Sequence, residues 1–214
     1  MASSNPIKYK TFWVELNVLF STTDVRITPP EQVQIDNMNT IHRYFRNLGW
    51  THNAISGMLG NLMVESTVNP WVFQDRSIDW SNIQAILNTP GGMGLTQWTP
   101  AHKYYNWAVA ENKDPQDGKT MCERIRYEQL NNLQWSLENY GEHTWEDFVT
   151  SNEEPYILAD VWCWAYERPA DPDMQQRWAN AEWCAEHIYG GIPKAVLLLK
   201  GNQRKELKHR CQRI

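Results

Sequence analysis

Glu65 stands where an apolar helix runs out. In GMLGNLMVESTVNPW, residues 57–71, it follows Met58 by seven positions and Leu62 by three. At about 100° per residue it therefore projects from the face those two form. Burial disfavours the charged form of a carboxyl. The C-terminal end of a helix carries partial negative charge and does the same. Both effects favour a proton on Glu65 near neutral pH, as a general acid requires. Such an acid can protonate the bridging oxygen of a glycosidic bond. The competing reading is a Glu65 that is exposed, or paired with Arg76 or Arg168. Gly57 and Gly60 lie close by in the same run, and without side chains they let another backbone approach.

A glycosidase usually needs a second carboxylate, about 6.5–9.5 Å from the acid in inverting enzymes and about 5–5.5 Å in retaining ones. Asp75 and Asp79 follow in FQDRSIDW. Asp79, ahead of Trp80 and Ser81, has the place of an N-cap for SNIQAIL, so Asp75 is preferred for the cleft. With no second carboxylate in range, the substrate's own 6-hydroxyl can attack, which is the lytic transglycosylase route. Metal and cofactor patterns are missing. His42, His52, His102, His143, His187 and His209 are scattered without an HExxH. Cys122, Cys163, Cys184 and Cys211 form no CxxC or Cys/His zinc spacing. GGMG lacks the Lys and Ser/Thr of a phosphate loop. No metal and no cofactor are expected.

The elements that must hold Glu65 are helices. Met38, Ile41, Phe45 and Leu48 keep helical spacing, and Gly49 suits the stop that follows. Thr51 is placed to cap the next helix, whose stripe is Ile55, Met58, Leu59 and Leu62. Thr99 and Pro100 predict the start of another. CERIRYEQLNNLQWSLENY predicts a long helix with Cys122, Ile125, Leu133 and Leu137 near one side. TWEDF opens a short one. A further helix runs from Pro155 to just before Pro169. MQQRWANAEWCAEHIYGG closes the set, with Gly190 or Gly191 as terminator. Between Asn69 and Trp98 the pattern fails, and Pro70, TPGGMG and LTQW suggest turns with a small hairpin. The reading is a mainly α fold with a small irregular or β segment beside a cleft. Residues 1–33 form an extended N-terminal arm of one or two strands, 34–192 the helical domain, and 193–214 a basic tail.

The chain of 214 residues is 42% hydrophobic and 21% charged, and its net charge of -5 gives no general attraction to nucleic acid. All of its twelve Trp except Trp13 fall between Trp50 and Trp183. Most should pack the core, while a few can line a groove and stack on sugar rings. The first residues, MASSNPIKYKTFWVELNVLF, lack the basic, apolar and small-residue order of a secretory leader. No stretch is apolar for long enough to span a bilayer. The expectation is synthesis in the cytosol and delivery by another agent.

NAISGMLGNLMVES, then GLTQWTP, then YERPADP together resemble the phage tail lysozyme family, within the wider lysozyme-like and lytic transglycosylase group. The resemblance spans roughly 36–189. It implies a lysozyme-like fold with Glu65 as the acid. Gln97 and Trp98 of the Gly-Leu-Thr-Gln-Trp run and Tyr166 are implied in substrate binding. Ser66 is implied as support at the helix end, and Glu167 matches the Glu near the cleft floor. Leu-Thr-Gln departs from the Leu-Met-Gln of transglycosylases, so their reaction is not carried over. The implied activity is a muramidase on the glycan strands of bacterial peptidoglycan. The implied setting is a phage virion, made in the host cytoplasm and attached to other tail proteins. Lytic transglycosylation, a non-catalytic wall-binding module and a purely structural tail protein are the alternatives.

Overall fold

Two short strands, β1 (Ile7–Lys10) and β2 (Glu15–Val18), pair antiparallel with Ile7 opposite Val18 and Lys10 opposite Glu15. The computed structural model describes residues 7–10, 15–18, 30–138 and 143–191. The rest of the expected arm up to 29 and the basic tail from 193 lie outside the described residues. The remainder is helical: α1 (Gln32–Asn47), α2 (His52–Ser66), α3 (Ile83–Asn88), α4 (His102–Ala110), α5 (Gly118–Leu130), α6 (Trp145–Thr150), α7 (Pro155–Trp162) and α8 (Met174–His187). A π-helical turn, Cys163–Glu167, continues α7. No described helix is long and apolar enough to cross a membrane.

The core is built around α2. Thr51 caps it, accepting a hydrogen bond from the Ala54 N–H at 3.1 Å. Every residue from Ala54 to Leu62 is buried, so this helix is enclosed on all sides, unlike an ordinary amphipathic surface helix. Its two glycines make that possible. A Cβ on Gly57 would lie 2.7 Å from the Leu158 carbonyl carbon, and one on Gly60 would lie 2.7 Å from Ala181 N and Arg177 O. The backbones of α7 and α8 thus press directly on α2. Asn61 stitches the contact, its amide donating to Gly57 O at 2.9 Å and to Ala159 O at 3.0 Å.

On the other side, Trp50, Trp135, Trp145, Phe148, Trp162 and Tyr166 form one cluster of rings. Most of the tryptophans serve packing of this kind. Between α2 and α4 the chain is irregular on either side of α3, with isolated bridges from Met93 to Phe73 and to Trp98.

Several boundaries differ from expectation. Leu48 follows the end of α1 and is 38% exposed, because Gly49 turns the chain with a φ of 92°. α3 is capped by Asn82, which accepts from Ala85 N at 3.0 Å, and not by Asp79. α4 starts after Ala101, since the Thr99 hydroxyl donates to Gln97 O at 2.8 Å instead of capping. α5 begins at Gly118 behind its cap Asp117 and ends at Leu130. Asn132 and Gln134 take left-handed φ values of 50° and 63°, which break the long helix and leave Leu133 and Leu137 exposed.

Candidate active site

The last turn of α2 opens onto a cleft of about 660 Å³, a volume typical of small-ligand sites. Glu65 lies on one wall. Thr96, Gln97, Trp98 and Thr99 form a second, with Gln74, Arg76 and Lys103 beyond them. Arg124 and Glu128 of α5 close the back, and the π turn with the following Arg168 and Pro169 forms the floor.

Glu65 is 16% exposed at its side chain, and its Oε1 accepts from Arg177 Nη2 at 2.6 Å. Arg177, on α8, is 1% exposed. Its Nη1 donates to Asn61 Oδ1 at 2.7 Å, and its Nε to the Pro172 carbonyl. The guanidinium is thus held by three acceptors, with its outer edge on the carboxylate. The sequence reading offered either an acid without a partner or a pair with Arg76 or Arg168. The structure supplies a different and buried cation. Arg168 instead donates to Gln134 O at 2.7 Å.

Glu167 stands on the same wall system. Trp162 Nε1 donates to its Oε1 at 2.8 Å. Burial pushes its carboxyl well above the usual range, and the charge of Glu65 pushes it further. The Trp162 hydrogen bond and Arg177 oppose these without cancelling them. Glu128 is the third carboxyl of the cleft and is buried. Arg124 Nε donates to it at 2.8 Å, Trp98 Nε1 at 3.1 Å, and the Tyr166 hydroxyl closes the set. Burial raises it too, opposed first by Arg124.

This arrangement is that of a cleft with clustered carboxyls of unequal environment, one ion-paired and one whose protonated form burial favours, a pattern that suits acid–base chemistry. A family model described as phage tail lysozyme matches residues 36–187. The chain belongs to the phage tail lysozyme family. It is 38% identical over 154 residues to morphogenesis protein 1 of Bacillus phage B103, an alignment covering 72% of this chain and 40% of that protein. The chain therefore spans well under half the length of that relative.

In this tail lysozyme domain the residues singled out from sequence are distributed as follows. Glu65, Gln97, Trp98, Tyr166 and Glu167 all line the cleft. Gln97 has a left-handed φ of 49° and spends its amide nitrogen on Gly94 O at 2.8 Å and Val72 O at 3.3 Å. Its amide oxygen is the part left for a ligand. Trp98 is 4% exposed and stacks on Tyr104, and Tyr166 is 1% exposed. Both therefore act largely as the backing of the wall, through Glu128. Ser66 is buried outside the cleft. Its hydroxyl lies 2.8 Å from Leu95 O and 3.1 Å from Leu62 O, tying the end of α2 to the loop that carries Gln97.

Asp75 is not brought to the cleft. It is exposed, and its Oδ1 accepts from the Ser77 N–H at 2.9 Å and the Ser77 hydroxyl at 2.7 Å. These bonds hold its carboxyl below the usual range. Asp79 likewise accepts from Ser81 N at 2.8 Å. Both are turn-formers, the ordinary role of a loop Asp. Arg177, Glu128 and Arg124 were missed from sequence. A signal existed for the first two. Arg177 shares a helical face with Ala181 and Cys184, and Glu128 with Met121 and Ile125, all buried. A charged residue in a buried stripe is the same cue that marked Glu65.

Proposed function

We propose that this chain is a muramidase, cleaving the β-1,4 bond between N-acetylmuramic acid and N-acetylglucosamine in peptidoglycan. One observation carries the proposal: Glu65 and Glu167 line one cleft, close enough for the charge of Glu65 to raise Glu167. Burial and the nearby charge of Glu65 favour a proton on Glu167. Its exchange onto Glu65 arms that residue as general acid for the glycosidic oxygen and leaves Glu167 as the carboxylate. As the proton departs, the new charge on Glu65 is met at once by Arg177. Glu167 then activates water or steadies the oxocarbenium ion. Gln97 offers its amide oxygen to a sugar hydroxyl or acetamido N–H. Asp75 has no part in this scheme, being exposed and outside the cleft wall.

The family description and the phage relative support a place in a virion. On this reading the protein is made in the host cytoplasm, is held by other tail proteins, and opens the wall locally. The test is to digest purified peptidoglycan and analyse its ends by mass spectrometry. New reducing muramic acid ends are expected. Anhydro ends would assign lytic transglycosylation, binding without new ends would leave a wall-binding module, and neither would leave a structural protein. Glu65→Gln should abolish the new ends while cooperative melting survives. Undiminished cleavage by that variant would remove Glu65 from the chemistry.

A further inference from the structure

The lining of the cleft does not share the sign of the whole chain. The protein carries a net charge of -5. Around the cleft, however, the four cations Arg76, Lys103, Arg124 and Arg168 stand against the three carboxyls of Glu65, Glu128 and Glu167. Two of the cations are already engaged. Arg124 pairs with Glu128 at 2.8 Å, and Arg168 donates to two backbone carbonyls. Arg76 and Lys103 are exposed, and neither side chain has a hydrogen bond or ion pair among the described residues.

Local structure aims these two at the cleft. Gln74 is pinned by Gly92, which donates to its Oε1 at 3.0 Å and accepts its N–H at 2.9 Å. The turn closed by Asp75 on Ser77 then carries Arg76 onto the lining. Lys103 sits in the first turn of α4, where its N–H donates to Pro100 O at 3.0 Å. The backbone on both sides is fixed while the charged heads are left unspent. In a stem-bearing glycan strand the sugars are neutral, because the lactyl carboxyl of muramic acid is spent in the amide bond to the stem, and they have no use for two cations. The peptide stem on muramic acid ends in carboxylates.

We infer that Arg76 and Lys103 form a subsite for a carboxylate of the peptide stem, which makes the stem part of the recognised substrate. This rests on the muramidase reading. The test compares wild type, Arg76→Ala/Lys103→Ala and the charge-keeping Arg76→Lys/Lys103→Arg on three substrates. These are sacculi stripped of teichoic acid, the same sacculi with stem carboxylates amidated by carbodiimide and ammonia, and stem-free glycan from amidase digestion whose freed lactyl carboxyls are amidated in the same way.

On stripped sacculi the double alanine variant should raise KM about three- to tenfold with kcat little changed, as two exposed ion pairs would allow. The charge-keeping variant should stay near wild type. On the amidated and stem-free substrates wild type and alanine variant should be equal. Equal loss on all three substrates, or no loss on any, overturns the subsite. With unstripped walls run alongside, a difference that appears only on these teichoic-acid-bearing walls assigns the pair to phosphate and overturns the stem. If wild type cleaves none of the three, the muramidase reading fails and takes this inference with it.

Discussion

Arg177→Met removes the charge at the centre of the site while nearly keeping the side-chain volume. In the native molecule the guanidinium, 1% exposed, reaches Glu65 at 2.6 Å, Asn61 at 2.7 Å and the Pro172 carbonyl. Each bond from a charged donor is worth about 1.5–3 kcal/mol, yet desolvating the ions offsets much of that sum. What decides the outcome is the residue left behind. Methionine leaves the Glu65 carboxylate and the Asn61 oxygen with no donor, and breaking a buried pair from one side costs about 3–5 kcal/mol. Glu65 is 16% exposed at its side chain, so water can compensate in part, and the lower half of that range is expected. Lysine can serve one of the three acceptors and should fall between. Chemical denaturation at pH 7 of Arg177→Met, Glu65→Gln and the double variant closes a thermodynamic cycle. A coupling energy of at least about 1.5 kcal/mol is expected, because the residues touch and share a network. A coupling below about 0.5 kcal/mol would mean that the two sites behave as independent. It would refute the view that Arg177 secures the carboxylate.

Three more outcomes follow from the packing. Gly60→Ala drives a Cβ to 2.7 Å from the α8 backbone at Arg177 and Ala181. It should cost about 1–3 kcal/mol by overpacking, and it should lower cleavage by displacing Arg177 although it touches no cleft residue. Paired melting and end-group assays check both effects. Glu128→Ala strands Arg124, Trp98 Nε1 and the Tyr166 hydroxyl and should cost about 3–5 kcal/mol, against about 1–2 for Glu128→Gln, which keeps an acceptor. His42 is buried, 2.9 Å from His52, and its pKa is lowered to about 3 by burial first and then by His52, Arg46 and Arg43. Its folded value lies below its unfolded one, so the unfolded chain takes up the proton first. Stability from this group is full above pH 6.5 and is lost on acidification towards pH 3. The loss is about 2 kcal/mol by pH 5. Denaturation midpoints from pH 7.5 to pH 5 should fall more steeply for wild type than for His42→Gln, and parallel slopes would exclude His42.

What could be read before folding was what local spacing determines. The stripe of α2, its Thr51 cap and its glycines are local facts, and the helix formed where they put it. Where loop chemistry competed, prediction slipped. α5 stops at its cap Asn131, and the chain turns away at Asn132 because Asn accepts a left-handed φ, here 50°, at little cost. Asp75 satisfied itself on Ser77 two residues on, a local bond that forms more easily than any reach to a distant cleft. The partner of Glu65 lay beyond any such reasoning, since Arg177 is 112 positions away and pairs with it only once α8 lies on Gly60.

Even so, a cue was present in the sequence. Glu65, Glu128 and Arg177 each interrupt a buried stripe, and an isolated charge in such a place is too costly to leave unmatched. A carboxylate withdrawn from water therefore calls for a cation or a proton: Arg177 meets Glu65, Arg124 meets Glu128, and burial favours the protonated form of Glu167. Matching charges across buried stripes narrows the search to a few residues, although only the packed helices decide which of them meet.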